Sequence, residues 1–410
     1  MMGRFCGYIE KVFRFGDFLP TLIDSRRQPV IPAHAAFVSA FAMFATGRPS
    51  LHQWEKEVRM PSRLAGMIGP HIPSVDSIGR IYAGMDSAPL VEMLSAINHR
   101  LRRNKVFGDE SGLLFAAVDG HEFFSSRKRC CPQCLTRTIH LKDGSVTEYY
   151  HRGVVCHLIG QELAIPIDVE LLRPGEGEAS AAKRLLERVF VRYSRFIDVV
   201  GGDALYFEAP FINFCREHHK HVIVVVKGEQ RLLLQDALGV FSQQTPGEWQ
   251  DGARRVRCWD QEGFTSAEGV KEPLRVLYTE ETVRRRERIA GEWKVGEETS
   301  HWCWATSLSK NQLGTRGLYE AGHGRWDIEN DCFNTLSTHW GLDHCFKHEP
   351  QAIVNFVLTC FIAYVLVQSF WRGNLKPQRR KLIGTLIGLA DELRRSLGPE
   401  CRAPWLGRPP

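Results

Sequence analysis

Through the first part of the chain, apolar residues recur at helical spacing or run unbroken, and no stretch alternates. Ala35 to Phe44 predicts one apolar helix, and Pro89 to Arg103 predicts a second that ends in basic residues. Between them, Pro61-Ser62-Arg63 and Ile72-Pro73-Ser74-Val75-Asp76-Ser77 carry turn and helix-start chemistry, with Ser74 or Asp76 as cap. From about residue 113 the pattern changes to short apolar or alternating runs. Leu113–Asp119, Glu148–Ile159 and Ala164–Leu172 predict three strands. A helix over Ala179–Tyr193, a strand running up to Asp203, a helix over Ala209–His218 and a strand over His221–Lys227 follow. Arg254–Trp259, Pro273–Tyr278 and His301–Thr306 again read as strands, and His323–Asn330 reads as a helix.

Three strands, helix, strand, helix, strand and a late helix is the element order of a ribonuclease-H-like fold, so the expected class is mixed α/β. The stretch between Lys227 and the late helix is too long for a simple crossover and implies an insertion. The expected organisation is a helical region over 1–110, core over 111–234, a β-rich insertion over 235–310, the remainder of the core over 311–372 and a helical tail over 373–410. The first region suits either a DNA-binding module or a helical prefix packed on the core.

Gln351 to Phe370 carries no charge and has the length of a membrane span. It also holds Asn355, Thr359, Gln368 and Ser369 and stands alone, so it is expected as a buried core helix, apolar all round. No membrane partner is expected.

Hydrophobic residues make up 43% of the chain, enough for a large core, which excludes a disordered protein. The net charge is only +6, but basic residues cluster at 100–105, 127–129, 254–257, 284–288 and 379–381. Local clusters matter more than the sum for a polyanionic partner, because counterion release depends on the phosphates contacted. Any single cluster can also be a solvated face. Twelve cysteines without a secretory leader suggest a reducing, cytoplasmic setting with free or metal-bound thiols.

Three acids carry the chemistry. Asp119 closes the run Leu113-Leu114-Phe115-Ala116-Ala117-Val118, Asp203 follows Ile197-Asp198-Val199-Val200-Gly201-Gly202, and Glu329 lies on the late helix. Two strand-end carboxylates and one helix carboxylate supply the hard oxygen ligands that a pair of divalent cations needs for phosphodiester chemistry. Asp168 and Glu170, two apart on a predicted strand, are the substitutes for Asp203. Glu122, Asp198, Asp327 and Asp331 are weaker candidates.

Val118-Asp119-Gly120, Gly202-Asp203-Ala204 and Arg325-Trp326-Asp327-Ile328-Glu329-Asn330 with downstream Trp340-Gly341-Leu342-Asp343-His344 resemble the acidic-triad (DDE) insertion-sequence transposases, in particular those whose ribonuclease-H-like core is interrupted by strands. That group shows Tyr, two residues, Arg, three residues, Glu, six residues, Lys around the last acid. Here Arg325 and Glu329 match, while Gly322 and Leu336 take the Tyr and Lys places.

The resemblance implies cleavage at insertion-sequence ends followed by strand transfer, with Asp119, Asp203 and Glu329 binding two Mg²⁺ or Mn²⁺. It also implies double-stranded DNA as partner, both terminal inverted repeats and target, and a homodimer in a synaptic complex associated with the bacterial nucleoid. Arg325, one helical turn before Glu329, would contact phosphate or pair with that acid. Lys310, Arg254, Arg255 and Arg257 are the further DNA-binding candidates, and the tryptophans of the insertion serve either sheet packing or base stacking. A nuclease without strand transfer and an inactive DNA-binding relic are the alternatives.

Cys131-Pro132-Gln133-Cys134 has zinc-knuckle spacing, with His121, His140, His151, Cys156 and His157 nearby. Such a pair is half a site. Structural zinc on Cys131 and Cys134 therefore competes with plain thiols at this stage.

Overall fold

The computed structural model describes residues 1–406 apart from 28, 60–61, 109–111, 143, 229–231 and 290–291, with the side chains of 285–295 left aside. Pro61 of the expected turn lies outside the described residues, as do the side chains of Arg285, Arg286 and Arg288. The fold is mixed α/β, with ten strands among the described residues. In chain order these are β1 (Phe115–Ser126), β2 (Leu135–Leu141), β3 (Gly144–Leu158), β4 (Ile165–Leu171), β5 (Val199–Gly202), β6 (His221–Val225), β7 (Gly247–Asp251), β8 (Arg254–Phe264), β9 (Leu274–Ile289) and β10 (Glu292–Thr306). The chain forms two compact units. The first holds residues 1–108, 120–193 and 327–410, and the second holds 109–119 and 194–326.

The first unit is built around the helix Pro350–Asn374. It packs against the helices Ala33–Ala45, Val75–Gly84 and Ala88–Arg103 and against β4, which explains why it is apolar all round. Two of its polar side chains bond inside the same unit. Asn355 Nδ2 donates to the carbonyls of Tyr82 and Met85, and the Gln368 amide exchanges two 3.0 Å hydrogen bonds with the backbone of Ala164. This helix is the one described segment long and apolar enough to cross a membrane, and 94% of its apolar window is buried inside the protein. Ser74 caps the helix Val75–Gly84 by accepting from the Ser77 N–H.

β3 is long enough to pair antiparallel with β2 along its first half and with β4 along its second. The helix Glu178–Tyr193 covers β3 and β4 with Ala181, Ala182, Leu185, Leu186, Val189 and Phe190, a stripe at helical spacing. β2 is absent from the sequence-based expectation because its side chains are almost all exposed and give no apolar pattern.

In the second unit, the first part of β1 pairs parallel with β5, and β5 pairs parallel with β6. β10 adds antiparallel to β6 at Trp304–Thr306, and β9, β8 and β7 continue outward in antiparallel steps. The strands of the inserted stretch thus extend the parallel core sheet, with β9 and β10 forming one long hairpin.

Candidate active site

β1 and β5 run parallel with Phe115 opposite Val199 and Ala117 opposite Gly201. Pairing is recorded as far as Ala117 and Gly201, so Asp119 and Asp203 each come two residues after the last paired positions of neighbouring parallel strands. β1 does not end at Asp119, as the apolar run suggested, but continues to Ser126. Asp203 directly follows the last residue of β5 and begins a short 3-10 turn, its Oδ1 accepting from the Leu205 N–H at 2.8 Å.

Arg325 stands beside this pair. Its Nη1 donates to Asp119 Oδ2 at 3.2 Å, with both side chains largely buried. Its stem passes Gly201 of β5, where a Cβ would make only ordinary contact with Arg325 Cγ at 4.0 Å. Gly202, by contrast, is required: a Cβ would meet the side chain of the fully buried Tyr206 at 2.8 Å. The helix Thr315–Gly324 ends just before Arg325, and Glu329 lies in a separate π-helical segment, Ile328–Asn334, of the first unit. The continuous α-helix expected over 323–330 is therefore in two pieces. A π turn breaks the regular one-turn spacing and recurs at functional sites.

The Transposase DDE domain family matches residues 135–366, more than half of the chain. The chain belongs to that family. The match includes Asp203 and Glu329 and begins after Asp119. No curated protein matches the chain. Membership in a transposase family carries DNA binding and the use of divalent metal with it, and carboxylate oxygens are the donors that such hard cations take.

The two departures from the DDE motif are packing positions in this transposase. A Cβ on Gly322 would come 2.7 Å from the indole of Trp304, itself buried, so that ring occupies the space a larger side chain would need. Leu336 is fully buried in the first unit.

The remaining acids have structural partners. Asp168, 1% exposed, is held by Arg188 at 2.8 Å, and Glu170 is held by Arg184 and Arg188. Burial raises the Asp168 carboxyl, and Arg188 opposes that rise. Glu122 pairs with Arg137, and Asp198 accepts from the Leu114 N–H. Asp327 accepts from the Gly160 N–H, while burial and the charge of Asp327 raise the Asp331 carboxyl.

The basic candidates divide by face. Arg254 reaches Glu281, whose side chain is 1% exposed and also accepts from His323. Arg255 and Arg257 lie on the opposite face of β8, Arg255 the more exposed, near Glu248 and Glu280. Lys310 Nζ donates to the Asp260 carbonyl at 2.7 Å. Trp304 is buried against Tyr319 and His323, and Trp326 stays exposed at the edge of the cluster. Cys131 and Cys134 lie in the first unit beside His151 and His348, a pair of ligand types that the Cys-x-x-Cys spacing did not reveal for His348.

Proposed function

We propose that this transposase cuts DNA at the ends of its insertion sequence and joins the freed 3′-hydroxyl to target DNA, with Asp119, Asp203 and Glu329 as its metal ligands. The observation that supports the reading is that Asp119 and Asp203 each come two residues after the last paired positions of neighbouring parallel strands, with Arg325 against Asp119. Hard carboxylate oxygens on rigid strands suit Mg²⁺ or Mn²⁺. When bound, a metal pair supplies activation of the attacking oxygen and stabilisation of the leaving oxygen. Asp119, Asp203 and Glu329 would hold the ions. Arg325 keeps Asp119 oriented and presents a guanidinium suited to a phosphate oxygen. Gly202 lets Tyr206 approach closely enough to pack against the end of β5. Two such chains synapse a pair of element ends as a homodimer, and the protein acts on the nucleoid in the bacterial cytoplasm.

The test uses linear DNA bearing the inverted repeats that flank the gene. Wild type is expected to cut and join in Mg²⁺. Asp119→Asn, Asp203→Asn and Glu329→Gln are each expected to lose cleavage by at least about 10³-fold, a loss of metal-assisted stabilisation of several kcal/mol. End binding by gel shift should stay near wild type. Full cutting by any one variant removes that residue from the site, and cutting without joining makes the protein a nuclease.

A further inference from the structure

Four side chains of the first unit converge at a place that the DNA chemistry does not use. The turn after β1 folds back so that the Cys134 N–H donates to the Cys131 carbonyl at 3.1 Å and the Cys131 N–H donates to Cys134 Sγ at 3.2 Å. The β2–β3 register, with Leu135 opposite Tyr150, sets Cys134 beside His151. His348 arrives from the loop that precedes the helix Pro350–Asn374.

The distances are those of a tetrahedral centre. Zn–S bonds of about 2.3 Å and Zn–N bonds of about 2.0 Å at tetrahedral angles separate two sulfurs by about 3.8 Å and a sulfur from a nitrogen by about 3.5 Å. Cys131 Sγ and Cys134 Sγ are 3.6 Å apart. His151 Nε2 lies 3.4 and 3.5 Å from the two sulfurs, and His348 Nε2 lies 3.1 Å from Cys134 Sγ. All four ligand atoms fall within 4.8 Å of one another.

We infer that Cys131, Cys134, His151 and His348 form a structural zinc site, with one Zn²⁺ bound by two thiolates and two Nε2 atoms. Two sulfurs and two imidazoles select zinc over the hard cations that carboxylates take. Four protein ligands leave no open position for substrate, which makes the site structural. A disulfide is a poorer account of the same residues. The sulfurs stand well beyond the bond length of about 2.05 Å, and a disulfide leaves the two converging imidazoles unexplained.

The ion joins the β1–β2 turn, β3 and the 341–349 loop, which are far apart in sequence. That loop follows the helix Thr335–Trp340, which comes directly after the π-helix carrying Glu329, and is also held by the hydrogen bond between His121 Nε2 and Asp343 Oδ1 at 2.5 Å. The site thus pins the segment between the Glu329 helix and the central helix of its own unit. The inference stands apart from the catalytic reading, since it concerns other residues and needs no DNA.

The test is elemental analysis of the purified full-length chain, with cobalt substitution as a spectroscopic probe. One zinc per chain is expected, together with the visible absorption of tetrahedral cobalt and sulfur-to-metal charge transfer. Cys131→Ser with Cys134→Ser should lose the ion. His348→Cys should keep it while the charge-transfer band grows, a change that a merely structural histidine would not produce. Should the double variant fail to fold, thiol reactivity of wild type gives the same answer, since Zn²⁺ is expected to protect Cys131 and Cys134 from alkylation. Absence of stoichiometric zinc with unprotected thiols overturns the site. So does a cobalt spectrum that His348→Cys leaves unchanged.

Discussion

Gly322 shows what a single position can hide. In the sequence it reads as the loss of an aromatic residue from the DDE motif, whereas in the fold the aromatic mass has been supplied by Trp304 from β10, 2.7 Å from where a Cβ would sit. No linear pattern pairs residues 304 and 322, so the exchange was not legible. Gly322→Ala is expected to destabilise the protein by about 1–3 kcal/mol through overpacking, read as a lower urea midpoint at unchanged slope. Adding Trp304→Ala should recover part of that loss in a double-mutant cycle. An additive result would mean that the two residues do not share the space. His348 was likewise invisible as a ligand, because a zinc knuckle announces its cysteines by spacing but not its distant histidine. The apolar runs before Asp119 and Asp203 were legible as strands, but the first did not show that β1 continues past its acid to Ser126, because that half of the strand is only partly buried.

At the scale of elements, β8 turns one basic cluster into two. Strand periodicity sends Arg254 toward buried Glu281 and sends Arg255 and Arg257 to the other face. Arg254→Ala is expected to lower stability by about 1–3 kcal/mol, because it strips a charge partner from a carboxylate that remains inside. Arg255→Ala and Arg257→Ala should barely change stability. If they meet phosphate, each reduces the slope of log affinity against log salt by about one, uniformly across DNA sequences. An unchanged salt slope would place that face away from DNA. The helical regions, the parallel strands and the three antiparallel strands at 254, 274 and 301 were readable from apolar periodicity. β2 was not, since an exposed strand has no apolar face to mark it. The break before Glu329 was not either, because a π turn leaves no residue signature.

For the molecule as a whole, each unit gathers segments separated by long stretches of chain, and a linear division into consecutive domains cannot express that. The same burial makes stability depend on acidity. His157 on β3 is fully buried, its two ring nitrogens make no hydrogen bond among the described residues, and burial pushes its pKa down to about 3. In the unfolded chain the ring titrates near 6.5. Between those values the unfolded state binds more protons. The contribution of this residue is therefore level above about pH 6.5 and falls by about 1.4 kcal/mol per unit as the pH drops toward 3. His157→Leu is expected to flatten that part of the profile in urea titrations at pH 7 and pH 5. Equal slopes for wild type and variant would show that the ring finds solvent or a partner.

The position of the helix Pro350–Asn374 has a consequence for how the protein is made. The helices of the first hundred residues rest on a partner that leaves the ribosome only after most of the chain has been translated, many seconds later at about 5–20 residues per second. Until then these helices have one another but not the helix at their centre, and a message broken before that helix is encoded yields a product without it. Premature stops in this gene are thus expected to give material for proteases rather than stable fragments that compete for the element ends.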